Sequence, residues 1–123
     1  MTMMTTAFDS RVKVAVISGA QNCYEERLER DAFCGGQVIP GLMKYGDIPE
    51  VGSLIAPRPA VWETGDADIS MPPNGKEGIR RRVQKAYDAA GKPNAVSFYS
   101  FKGGHVWNGT TGVPLLDKVL KSS

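Results

Sequence analysis

The sequence predicts an α/β fold: a small three-layer unit with a mostly parallel, three-stranded sheet. Three observations carry the prediction. Three short runs, Arg11–Ser18, Pro59–Thr64 and Ala95–Phe101, are rich in β-branched, apolar and aromatic residues. A charged stretch of helical period follows the second, and a capped helical stretch follows the third. Glycine or proline stops each segment. Strands alternating with helices pair in parallel, through right-handed crossovers.

Taken in order, Met1 to Ser10 is polar and weakly patterned. Its Met-Thr-Met-Met-Thr-Thr start resembles the leader that cloning vectors fuse to an insert, so residues 1–10 are expected to be vector-derived or disordered, outside a domain at 11–123. The first strand, Arg11–Ser18, is apolar almost throughout, as befits a strand covered on both faces; Gly19 ends it. Residues 20–46 are the least regular. Cys23–Phe33 is charged enough for one helical piece, broken by Cys34-Gly35-Gly36, and Ile39-Pro40-Gly41-Leu42 reads as a turn. A short helix follows at Asp47–Ile55, with Asp47 as N-cap and Pro49 in the first turn, where a missing N–H costs nothing.

The second strand leads into a long loop, Gly65–Pro73. Asn74 is the expected cap of a helix running to about Ala90, with Ile79, Val83, Ala86 and Tyr87 on one apolar face. Gly91 closes it. The third strand leads into Lys102-Gly103-Gly104-His105-Val106-Trp107-Asn108-Gly109. Thr111 is the expected cap of a last helix, Gly112–Leu120.

Composition narrows the function. The chain has 123 residues, with 41% hydrophobic and 23% charged, values of an ordinary globular domain. Fifteen basic against 13 acidic residues give a net charge of +2, too balanced for a nucleic-acid partner. Arg80-Arg81-Arg82 reads as a solvated helix face. No apolar run reaches the roughly 18 residues of a membrane span. Two cysteines and one histidine make neither a disulfide framework nor a dedicated zinc site. No cofactor or metal is expected, and the reducing cytoplasm is the default location. Asp66 and Asp68 could bind calcium weakly, without a ligand repeat to support it.

Parallel pairing places the loops after strands two and three on the same sheet edge, where α/β folds bind ligands. One loop carries Asp66 and Asp68. The other carries His105, the only histidine. His105 reads either as a solvated loop residue or as a general base oriented by an acid. An acid and a histidine so placed are two members of a nucleophile–acid–histidine site.

The stretches Ile39-Pro-Gly-Leu-Met-Lys-Tyr-Gly-Asp47, Ser53-Leu-Ile-Ala-Pro-Arg-Pro59, Glu63-Thr-Gly-Asp-Ala-Asp68 and Phe101-Lys-Gly-Gly-His105 resemble the C-terminal half of α/β-hydrolases, in the branch of dienelactone-hydrolase-like and acetyl-xylan-esterase-like proteins. The resemblance covers about residues 11–120 and implies the last strands of that fold. It implies Asp68 as triad acid, with Asp66 as the alternative, His105 as base, and a carboxylic ester or lactone as substrate. The family's Gly-x-Ser-x-Gly nucleophile turn occurs nowhere in this sequence, so the chain reads as a truncated hydrolase lacking the nucleophile-bearing half. Ser18, at the end of the first strand, is the best internal nucleophile; otherwise it is an ordinary strand-end serine. Cys34 could supply a thiolate or be inert, Ser70 shapes the loop, and a water activated by His105 would act slowly without an oxyanion hole. Trp62 and Trp107 read as packing residues.

A truncation would bare one edge of the Arg11–Ser18 strand, guarded only by Arg11 and Lys13. Such edges recruit other chains, and a homo-oligomer is expected through this edge. Two rivals to a weak esterase or lactonase stand: a non-catalytic, self-associating fragment, and a small-molecule binding module in the same cleft.

Overall fold

Strand β2, Ala60–Gly65, occupies the middle of a parallel sheet, and every one of its residues is buried. Strand β1, Ala15–Ser18, lies on one side and β3, Val96–Phe101, on the other. The register aligns Ala15 with Ala60, Ser18 with Glu63, Ala60 with Val96 and Gly65 with Phe101. The computed structural model describes residues 1–27 and 39–122, and among these the sheet has the three strands expected, all parallel. The expected break at Cys34-Gly35-Gly36, the thiolate of Cys34 and the end of the Cys23–Phe33 helix lie outside the described residues. The described start of that helix is α2, Tyr24–Arg27.

Side chains alternate across β2, so Ala60, Trp62 and Thr64 face one layer and Val61, Glu63 and Gly65 the other. On the first face sit α3, Ile48–Ser53, and α4, Pro73–Ala89. Trp62 is fully buried there with Ile79, Val83 and Tyr87 of α4, the apolar face read from the sequence. Trp62 also stacks on Phe98, with ring centroids 5.6 Å apart. Burial pushes the Tyr87 hydroxyl up from its ordinary pKa, and that hydroxyl donates to the Arg58 carbonyl at 2.6 Å. Helix α5, Gly112–Lys121, covers the second face: a Cβ on Gly112 would lie 2.5 Å from Val16 Cγ1, so only glycine lets the helix start on β1.

Asp47 caps α3 as expected, in a full capping box with Glu50. Its buried carboxylate also accepts from Tyr24 N at 2.8 Å and Glu25 N at 3.3 Å. It therefore anchors the starts of two helices.

Several boundaries differ from the expectation. The first strand pairs from Ala15, not Arg11, because its partner strand opens just after Pro59. Ala15 N donates to the Pro59 carbonyl at 3.1 Å, and Arg58 instead satisfies the Asp9 and Val12 carbonyls, each at 2.9 Å. The long helix opens at Pro73, behind Pro72, and not at an Asn74 cap; a proline in the first turn is pre-set for helix. Thr111 stands at the N-cap of α5 but makes no cap bond, and its Oγ1 is buried without a partner.

The largest difference is at the N-terminus. Residues 1–10 were expected outside the fold, yet Thr2–Phe8 forms helix α1, which packs on α3 and β1. Met3 and Thr6 are buried, Met4 and Ala7 partly so. Thr6 Oγ1 donates to Thr2 O at 2.8 Å within the helix. The polar threonines hid a helical stripe of Met3, Met4 and Ala7.

Candidate active site

The C-terminal ends of β1, β2 and β3 bring three segments together: Ser18-Gly19, the Asp66–Asp68 turn, and the Lys102–Gly109 loop. Main-chain bonds lock the last two. Asp66 N donates to the Phe101 carbonyl at 2.8 Å, and Ala67 N to the Gly103 carbonyl at 2.9 Å. The fit leaves no room for a side chain at Gly65, where a Cβ would lie 2.2 Å from Gly103 O.

Asp68 and His105 meet in this lock, with His105 Nδ1 2.8 Å from Asp68 Oδ2. The two differ in environment: the Asp68 side chain is wholly buried, while that of His105 is 61% exposed. Asp68 Oδ1 accepts from the main-chain N–H of Ser70 at 2.9 Å, which fixes the carboxylate plane. An ionised Asp68 holds the ring proton at Nδ1 and leaves the Nε2 lone pair for chemistry.

Asp66, the alternative acid, points elsewhere. Its Oδ1 accepts from Gly103 N at 2.9 Å, at the start of the histidine loop. The two loop carboxylates thus serve different partners, and the described residues contain no group of three or more acidic, histidine or cysteine side chains able to hold a metal.

The described contacts do not join Ser18 to the imidazole. Its hydroxyl reaches the Val106 carbonyl at 3.4 Å. The residue against the ring is Gly19, at φ +61°, where a Cβ would lie 2.7 Å from His105 Cε1. Trp62 is a packing residue, as expected. Trp107 is not buried: it is 55% exposed, its indole lying over Gly109.

Sequence reasoning passed over Glu63. It sits fully buried on β2. Its carboxylate accepts from Asn108 N at 2.9 Å and from Gly109 N at 3.0 and 3.2 Å. An acid inside the otherwise apolar Ala60-Val61-Trp62 run was the available signal, because charges are rarely buried without partners.

Three parallel strands with an acid and a histidine on successive loops at one sheet edge match the last strands of the α/β-hydrolase fold. Comparison with known proteins agrees. No family model matches the sequence. Over 110 residues the chain is 29% identical to the Bacillus subtilis (strain 168) protein named "Putative hydrolase YtaP", a match that takes in 85% of this chain and 36% of that protein. The glucuronoyl esterase catalytic domain of Hypocrea jecorina superposes with a TM-score of 0.70 at 16% identity, over 99% of this chain and 41% of that one. The family 15 carbohydrate esterase of Caldicellulosiruptor kristjansonii, also a glucuronoyl esterase, gives 0.69 at 17%, over 99% and 40%. The chain therefore spans about two-fifths or less of the length of these relatives.

Proposed function

We propose that this chain carries the acid–histidine half of an ester-cleaving site and acts, on its own, weakly on carboxylic esters or lactones. The 2.8 Å contact between a wholly buried Asp68 carboxylate and a solvent-facing His105 carries the reading. In such a site Nε2 takes the proton of an attacking hydroxyl as its oxygen bonds to the acyl carbon. The proton then passes to the oxygen of the leaving alcohol as the acyl–oxygen bond breaks. A water molecule supplies the hydroxyl, or Ser18, once released from Val106, supplies it and a water then cleaves the acyl-serine ester by the same proton route, returning the proton to the serine oxygen. Such a reaction is slow wherever no oxyanion hole stabilises the developing charge. A hydrolase relative and esterases of the same fold support the class.

Hydrolysis of a p-nitrophenyl acetate ester and of a simple lactone by purified protein, beside His105→Ala, tests this. Turnover by wild type that His105→Ala loses supports the pair as catalytic; a mutant as active as wild type, or a wild type no faster than buffer, overturns it.

A second reading has its own observation. Among the described residues β1 is an edge strand, and cavities of about 440 and 480 Å³ lie along it beside α1. A second copy pairing at this edge would make the chain a homo-oligomer, with or without activity. A single monomer mass by light scattering at micromolar concentration would remove that reading. No helix among the described residues is long and apolar enough to cross a membrane, and a cytoplasmic site is proposed from the low cysteine count.

A further inference from the structure

We infer that Glu63 is the positioning residue of the histidine loop, fixing both the Gly19 backbone on which the His105 ring lies and the far end of the loop that carries the ring; the inference rests on reading Asp68 and His105 as the working pair. The backbone carbonyl of Glu63 accepts from Gly19 N at 3.0 Å, and Gly19 is the bare backbone on which the imidazole lies. Its carboxylate accepts from Asn108 and Gly109, the far end of the loop that carries the ring. Asp66 grips the near end at Gly103, and Asp68 grips the ring itself. Three carboxylates from one strand and its turn therefore hold the loop at its start, its middle and its end.

The chemistry of the Glu63 contacts calls for a carboxylate. Two oxygens receive two adjacent main-chain N–H groups, bonds that are stronger for carrying charge. Oε1 receives both N–H groups and Oε2 receives that of Gly109 again, at the shorter distance, so a glutamine would set its NH2 against the Gly109 N–H. No ion pair involving Glu63 occurs among the described residues, so these amides are its stabilising partners. Gly109, at φ +74°, bends the chain so that its N–H faces inward.

The single histidine makes the test direct, because every imidazole 15N signal belongs to His105. Glu63→Gln is compared with wild type by NMR. The expected result is amide exchange at Asn108 and Gly109 at least about tenfold faster. The imidazole 15N shifts should also move toward those of a free ring, while strand amides at Trp62 and Thr64 stay protected. Faster exchange at 108 and 109 with unchanged imidazole shifts would reduce Glu63 to a structural clamp and overturn the inference. Should Glu63→Gln not fold, the trans-hydrogen-bond coupling between the Asn108 and Gly109 nitrogens and Glu63 Cδ in wild type decides: its presence supports the contact and its absence overturns it. Neither readout needs turnover, so a failed esterase assay leaves this test intact.

Discussion

The His105 imidazole lies on the backbone of Gly19, so closely that a Cβ there would come within 2.7 Å of Cε1 and 3.1 Å of Nδ1. The first and third strands therefore meet at the candidate base. The bare glycine sets the height of the ring above the sheet edge, while Asp68 sets its rotation.

Gly19→Ala should displace the ring for two reasons. The methyl group occupies ring space, and φ +61° disfavours any Cβ. The expected outcome is a stability loss of about 1–2 kcal/mol and loss of the Nδ1–Asp68 contact, read from the His105 15N shifts. Unchanged shifts in a folded variant would mean that the ring is free of Gly19 in solution.

Asp68→Asn keeps the shape of the side chain and removes its charge. The amide can present its NH2 to Nδ1, favouring the tautomer with the proton on Nε2, the wrong atom for a base. Any esterase rate that depends on the pair should fall by about 100-fold or more, with Asp66→Asn much less affected because Asp66 bonds Gly103 and not the ring. Comparable losses in both variants would place the acid role on the turn as a whole.

The alternation of strands and helices was legible because it rests on local patterns, and the loop pairing followed from parallel topology alone. Asp68 and Asp66 could not be separated in advance: they lie two residues apart on one turn, and only the Ala67 and Asp66 main-chain bonds to Gly103 and Phe101 decide which carboxylate faces the ring. Glu63 stayed hidden because its partners are backbone N–H groups, which carry no residue signature. Thr2–Phe8 stayed hidden because its tertiary partners, α3 and β1, outweigh a threonine-rich composition that favours helix only weakly.

Glu50 links stability to pH. Burial acts to raise its pKa, but hydrogen bonding to Arg82, the Asp47 N–H and the Arg82 charge outweigh it and hold the carboxyl below its ordinary value of 4.5. The lowered value means that ionised Glu50 stabilises the fold above the unfolded pKa and loses that contribution as pH falls through the folded one. The side chain is 42% exposed, so water screens the pair and limits the effect to about 1 kcal/mol. Glu50→Gln should be less stable than wild type at pH 7, and the gap should close as pH falls below 4.5 and through the lowered folded value. A gap unchanged across that range in urea melts would assign the loss to packing.

Met3 is 6% exposed and lies in the core beside α3, with its sulfur 3.7 Å from where a Cβ on Gly52 would stand. A methionine so buried is worth about 2–3 kcal/mol when cut to alanine. Met3→Ala should lower the unfolding midpoint accordingly, while Phe8→Ala, at a 72% exposed position of the same helix, should change it little. Equal, negligible effects from both would mean that residues 1–10 do not dock in solution. A large effect from Met3→Ala alone would establish α1 as part of the core. A docked α1 packs against β1, which weakens the case for self-association there.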